Sequence, residues 1–367
     1  MPGEPRRTVL VAGGGTGGHL MPALAIAAAL RELTPEVEPV LVGAERGVEA
    51  TILPGRDFRY RLLPSEPIYR RAWWKNLRWP VIAGRLMRRV ARLFAEESPA
   101  AVVGTGGYAS APVVLWAVAR GVPAAIQEQN AYPGLASRWL SRLVRHVYLG
   151  LPEARRLLRF GRRTEVFETG NPIAPPTPER RPIALARFGL DGDRPVVLVT
   201  GGSQGALALN RAVAGWLDAG LEQRIALLWV TGRGTYPEFA RYHRPPAVQV
   251  IPFLDPMADG YAVADLVVSR AGMLTVAELC AWGLPAILVP LPTAAADHQT
   301  RNARVLADAG AAVVVPQREL SPERLAREIG ALLGDPGRRE AMGTAARRRG
   351  RPDAARDIAS KVLTLIS

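Results

Sequence analysis

The sequence predicts an α/β fold: two doubly wound domains, each a parallel sheet with helices on both faces. Three observations lead there. Short apolar runs alternate with helical patterns along all 367 residues. Such alternation yields parallel strands, because each helix carries the chain back to the edge where it began. The opening TVLVAGGGTGGHLMPALAIAAAL, residues 8–30, is a strand, a glycine-rich turn and a small-residue helix, and the same order recurs in VVLVTGGSQGALALNRAVAGWL, residues 196–217. Between them GNPIAPPTPERRP, Gly170 to Pro182, is proline-rich and aperiodic, and reads as a linker. The length exceeds the roughly 100–200 residues of one domain. The expected division is 1–172 and 173–349, with a helical tail over about 350–367 for which one option is packing back on the first domain.

The remaining strands read in order as PVLVG, AAVVGTGG and AAIQEQN in the first half, then IALLWVTG, DLVVSRAG and AAVVV in the second. Apolar residues make up 48%, enough for full cores. The single cysteine, Cys280, excludes a disulfide framework and a multi-cysteine metal site, and its apolar helical setting makes it core filler. The start, MPGEPRRTVL, enters a strand with no apolar signal region. No run approaches the roughly 18 apolar residues of a membrane span. A soluble or peripheral protein is expected. The formal charge is +14, carried by arginine with Lys75 and Lys361 as the only lysines. A basic surface of this kind suits an anionic partner, although compositional bias also produces it.

In an open α/β sheet, ligands bind at the carboxyl ends of the strands. Glycine there lets a ligand approach the backbone, and the following helix presents N–H groups to a phosphate. Gly13–Gly18 and Gly201–Gly205 are therefore candidate phosphate or sugar cradles, and GTGGYASAP, Gly104 to Pro112, is a third turn of the same kind. Gly13, Gly15 and Gly18 match the dinucleotide pattern, but the acid that should follow on the second strand is late at Glu45. His19, directly after the loop, has no task in phosphate binding. Neither lysine has a tyrosine four residues before it, as a nicotinamide-dependent epimerase would require.

GGGTGGHLMPALA, GTGGYASAP, QEQNAYPGLASRWL, VTGGSQGALALN, SRAGMLTVAELCAWGLPAILVP and DHQTRNA occur in this order. Together they resemble the MurG family, the N-acetylglucosaminyltransferases of bacterial peptidoglycan synthesis, over essentially the whole chain. The resemblance implies a GT-B fold, two Rossmann-like domains facing a deep cleft. It implies an inverting hexosyltransferase that moves GlcNAc from UDP-GlcNAc to the C4 hydroxyl of MurNAc in undecaprenyl-linked lipid I, forming lipid II. It further implies a peripheral enzyme on the cytoplasmic face of the cell membrane.

An inverting transfer needs a base beside the acceptor hydroxyl and stabilisation of a departing diphosphate. His19 is the candidate base, since histidine titrates near neutrality, and Glu128, where IQEQN ends, is its rival. No cofactor or metal is required: helix N-termini and glycine loops hold the diphosphate. Asp191-Gly192-Asp193 matches a metal-binding D-x-D string, but it precedes a strand and reads as a turn. Donor contacts are expected from Thr16, Gly17, Gly18, Asn130, Ser203 and Gln204, with uracil read by the backbone near Phe253 and Leu254. By resemblance, Met273, Leu274 and Thr275 lie near the diphosphate, Glu278 holds the ribose hydroxyls, and Gln299, with Asn302 one turn on, meets the sugar. Asp297 is expected to cap that helix. Acceptor contacts are expected from Gly106, Gly107 and Tyr108. One departure stands out: the family's arginine after Gly-Asn-Pro-Ile is Ala174 here.

The segment Ile68 to Phe94 holds eight basic residues and no acid. Arg78, Arg85, Arg88, Arg89 and Arg92 share one helical face, and Trp79, Ala83, Leu86, Val90 and Phe94 the other. Tyr69, Trp73 and Trp74, with Lys75 beside them, suit the headgroup layer of an anionic membrane, so Trp73, Trp74, Lys75, Arg78 and Trp79 are candidate membrane contacts. Nucleic acid is a poorer partner, because no reading module is present. The alternatives are another GT-B glycosyltransferase with a lipid-linked acceptor, a nicotinamide-dependent nucleotide-sugar enzyme, and a non-catalytic membrane-bound protein.

Overall fold

The computed structural model describes residues 6–66, 79–202, 204–220 and 224–366. The chain forms two units, Met1–Ala174 with Pro352–Ser367, and Pro175–Arg351. The chain passes between them two residues later than the sequence suggests, because Asn171 and Ile173 are still buried in the first unit.

The first unit runs β1 (Arg7–Gly13), α1 (Gly17–Leu33), β2 (Val37–Ala44), a short α2 (Glu49–Ile52), β3 (Arg59–Leu63), α3 (Trp79–Glu97), β4 (Ala101–Gly106), α4 (Ser110–Ala119), β5 (Ala124–Glu128), α5 (Leu135–Leu140), β6 (His146–Leu149) and β7 (Glu165–Phe167). Its seven strands lie in the order β3-β2-β1-β4-β5-β6-β7, all parallel. Side chains alternate across a strand, so β1 feeds two cores. Leu10 and Ala12 pack with Leu86, Val90, Leu93 and Phe94 of α3, Val113 and Ala117 of α4, and Leu140 of α5. Val9 and Val11 pack on the opposite face with α1 and with the last helix of the chain. Along α3 the amphipathic pattern holds: Leu86, Val90 and Phe94 face the core, while Arg85, Arg88, Arg89 and Arg92 are exposed. Trp73, Trp74, Lys75 and Arg78 lie outside the described residues, as does the side chain of Trp79.

The second unit runs α6 (Arg181–Phe188), β8 (Val196–Thr200), α7 (Leu207–Asp218), β9 (Ala226–Val230), α8 (Tyr236–Phe239), β10 (Val248–Ile251), α9 (Met257–Val263), β11 (Leu266–Ser269), α10 (Met273–Trp282), β12 (Ala286–Leu288), α11 (His298–Asp308), β13 (Ala312–Val314), α12 (Pro322–Leu333) and α13 (Pro336–Arg349). Its six parallel strands take the order β10-β9-β8-β11-β12-β13. Their alternate residues enclose one core around Trp229, Leu209 and Ile329. Cys280 is buried, and burial pushes its thiol up to about 11, in keeping with an inert core residue. Asp191 pairs with Arg194 in the turn before β8, away from the carboxyl ends of the strands. The chain closes with α14 (Ala354–Leu363), whose Ile358, Ala359 and Val362 join α1 in the first unit's core.

Both sheets reverse their winding beside the first strand of the unit, between β1 and β4 and between β8 and β11. A crevice opens outside the carboxyl ends at such a point, because the flanking loops run to opposite faces.

Candidate active site

In the first unit, two glycine turns meet at that point. Gly14 N–H donates to the Gly106 carbonyl at 3.3 Å. The approach is so close that a Cβ on Gly107 would strike the Gly14 carbonyl oxygen, and Gly107 also adopts a φ of +81°. No residue with a side chain fits there. The His19 ring lies against Gly106, and the ring of Tyr108 against Gly15. His19 is half-buried, and its Nδ1 is 3.1 Å from the Thr16 hydroxyl. Thr105 fixes the backbone beneath: its hydroxyl donates to the His19 carbonyl at 2.8 Å, and its own carbonyl accepts from Gln129 Nε2 at 3.0 Å. Asn171 extends this chain, donating to the Gln129 carbonyl and accepting from Gln127.

Glu49 is a site residue that sequence reasoning missed. Its side chain is 0% exposed and sits under the first turn, with Oε1 accepting from the N–H groups of Gly15 and Ala44. Gly14, Gly43 and Gly47 surround it, and a Cβ on any of them would collide with it. Its Oε2 is buried with no hydrogen-bond partner among the described residues. An acid in a short helical stretch carries no local sign of such a role.

Glu128 is also turned inward. One oxygen accepts from Asn130 N–H at 2.9 Å and the other from Gly134 N–H at 3.1 Å, which shapes the loop holding half-buried Asn130. A carboxylate that braces its own loop is poorly placed to swing toward a substrate.

In the second unit, α7 and α10 start at the equivalent point. Neither N-cap residue, Ala206 or Gly272, supplies a side-chain cap, and the same holds for Thr16 at α1. Ser321 caps α12 and Asp335 caps α13, but α4, α5, α9 and α11 also lack a side-chain cap, so its absence does not by itself mark the site. The starts of α1, α7 and α10 lie where the winding of each sheet reverses, and their first-turn amides have no side-chain cap, a setting that favours an anion. Those at α10 belong to Met273, Leu274 and Thr275; the Met273 side chain is buried, so its contribution is backbone. Gly205 has a φ of +74°, and a Cβ there would strike the Thr231 carbonyl. Gln204 is exposed beside it, and Ser203 lies outside the described residues.

Glu278, on α10, accepts a hydrogen bond from Tyr261 Oη at 2.8 Å. Burial pushes its carboxyl up to about 7, and the tyrosine hydrogen bond opposes that shift. Phe253 is exposed with the Arg233 guanidinium 4.7 Å from its ring centre, whereas the Leu254 side chain is buried. Gln299 accepts from Leu291 N–H at 3.0 Å. Asn302 has no exposed surface and donates to the Ala271 carbonyl, so it supports the entry to α10 from within. Asp297 occupies the N-cap of α11 but makes no cap bond; with φ at +53° its side chain turns to the Thr300 hydroxyl at 2.6 Å. Among the described residues, no group of three or more His, Cys, Asp and Glu is arranged to hold a metal.

Residues 9–149 match the N-terminal domain of glycosyltransferase family 28, and residues 196–358 match the C-terminal domain of that family. A Chlorobaculum parvum protein, UDP-N-acetylglucosamine--N-acetylmuramyl-(pentapeptide) pyrophosphoryl-undecaprenol N-acetylglucosamine transferase, is 40% identical over 97% of this chain and 99% of its own length. The Salinibacter ruber protein of the same name is 41% identical over 97% of this chain and 96% of its own. The crystal structure of Acinetobacter baumannii MurG superposes with a TM-score of 0.74 at 29% identity, covering 98% of this chain and all of that one. The chain belongs to the MurG family. Other solved structures share the architecture at lower identity, among them a putative UDP-N-acetylglucosamine 2-epimerase from Listeria monocytogenes with a TM-score of 0.65 and 16% identity over 97% of this chain and 95% of its own. That likeness shows fold alone. Membership in the MurG family makes the chain a hexosyltransferase of peptidoglycan synthesis, and sets aside the nicotinamide and non-catalytic alternatives.

Proposed function

We propose that the chain transfers GlcNAc from UDP-GlcNAc to the C4 hydroxyl of MurNAc in lipid I, giving lipid II with inversion at the anomeric carbon. The observation that carries this reading is the match to enzymes named for that transfer at 40% identity over 97% of the chain, because it spans both units. His19 takes the proton from the acceptor hydroxyl. In the tautomer whose Nδ1–H donates to the Thr16 hydroxyl, 3.1 Å away, the basic lone pair falls on Nε2. The acceptor oxygen attacks the anomeric carbon, its bond to the diphosphate breaks, and UDP departs. The uncapped starts of α7 and α10 hold the developing negative charge, with no metal needed. Glu278 accepts the ribose hydroxyls, the backbone at Phe253 and Leu254 reads uracil, and Gln299 meets the sugar. Gly106, Gly107 and Tyr108 contact the acceptor, beside His19.

Replacing His19 by alanine tests the base. Loss of a positioned general base lowers kcat by about 10²–10⁴-fold and removes the limb of the pH–rate profile that it controls. Near-normal turnover by the variant would remove His19 as the base.

The acceptor is lipid-linked, and we infer that the first unit docks on an anionic membrane surface at the cytoplasmic face. Leu135 and Trp139 are 66% and 67% exposed, and Leu143 continues their stripe. Arg138 stacks on Tyr132 and Arg142 on Trp139, so cations border the apolar stripe. Helices α3, α4 and α5 cover the same face of the sheet, which adds the exposed arginines of α3 to that side of the unit. Among the described residues no helix is long and apolar enough to cross a membrane.

A further inference from the structure

We propose that Tyr261 is a positioning residue for the nucleotide: its hydroxyl aims the Glu278 carboxylate so that both ribose hydroxyls of the donor can bind it. This rests on the reading of Glu278 as the ribose acceptor. Tyr261 is 3% exposed, and its ring packs 6.0 Å from that of Trp282. A phenol held this way has a fixed direction, whereas a glutamate alone can rotate about three side-chain bonds. The 2.8 Å hydrogen bond uses one acceptor position on Oε2 and leaves Oε1 and a further lone pair for a diol.

Two neighbours on α9 strengthen the assignment. Asp259 is buried and ion-paired to Arg180 and Arg187, which anchors α9 to α6. Gly260 lets Leu254 descend onto α9, since a Cβ there would lie 2.5 Å from Leu254 Cδ2. Three consecutive residues therefore anchor the helix, seat the residue proposed to lie at the uracil, and aim the residue proposed to lie at the ribose. Tyr261 and Glu278 are 17 positions apart, so no sequence motif joins them.

The experiment is equilibrium binding of UDP and of 2′,3′-dideoxyuridine diphosphate to the parent chain, Tyr261→Phe and Glu278→Gln. The phenylalanine keeps the ring and its packing, and thermal melts establish that each variant is folded. The parent should prefer UDP by about 10–100-fold, since an analogue lacking the hydroxyls leaves a polar group unmatched. Tyr261→Phe should lose about tenfold in UDP affinity with little change for the dideoxy analogue. The loss in kcat/KM for UDP-GlcNAc should then fall on KM. Equal losses for both nucleotides, or no loss for either while Glu278→Gln still weakens UDP, would overturn the role of Tyr261. A Glu278→Gln variant with the parental preference would instead remove the ribose reading itself, and the proposal with it.

Discussion

At the scale of single residues, burial makes the charge on Glu278 costly. Folded Glu278 titrates near 7, against 4.5 for an ordinary glutamate. Between those values the folded chain holds a proton that the unfolded chain has released, so stability falls as pH rises from 4.5 to 7 and the penalty remains above. Its size is on the order of 3 kcal/mol. Glu278→Gln should therefore melt at a higher temperature than the parent at pH 8 and at the same temperature near pH 4. Equal melting at both pH values would contradict the burial argument. The residue was legible from SRAGMLTVAELCAWGLP as a ribose candidate, but its tyrosine partner was not. Glu49 shows the same limit: Gly15, the loop residue it holds, is 34 positions away.

At the scale of elements, the strands, glycine turns and helices follow from local pattern, while their service to the whole follows from packing. The last helix is the clearest case. Ile358 and Val362 have no exposed surface, and burying two such side chains contributes roughly 3–6 kcal/mol. That is a large part of the 5–15 kcal/mol typical of a folded domain. A chain ending at Arg351 should show a lowered melting transition for the first unit, read by calorimetry; an unchanged transition would make α14 dispensable. Helix α5 is the opposite case, since its apolar stripe faces outward. Replacing Trp139 and Leu143 together by alanine should weaken sedimentation with phosphatidylglycerol vesicles several-fold and leave the melting temperature within about 2 °C, because exposed side chains hold little of the fold. Binding that is the same for both proteins, or indifferent to salt, would remove the membrane docking proposed for this face.

At the scale of the whole molecule, the proposed transfer balances charge with helix starts in place of a metal. Each uncapped helix start carries roughly half a positive charge, and α7 and α10 together match one charge of a leaving diphosphate. Turnover should therefore persist in millimolar EDTA, and activity abolished by EDTA and restored by Mg²⁺ would show that these helix starts are insufficient. The formal charge of +14 is consistent with the proposed docking on an anionic surface, and that attraction should fade as salt shortens the screening length.

The sequence by itself determined the α/β class, the repetition of one plan in two units and the glycine turns, because hydrophobic period and glycine act within a few residues; it offered His19 as a candidate base and, only through the family resemblance, Glu278 and Gln299 as donor contacts. Tertiary structure alone decided that Gly14 meets Gly106, that Glu49 lies beneath the first turn, that Glu128 and Asn302 face inward, and that Tyr261 stands behind Glu278. Those pairings form when parallel strands bring distant loops to one edge of a sheet. A contact made that way leaves no periodic trace in the order of the residues.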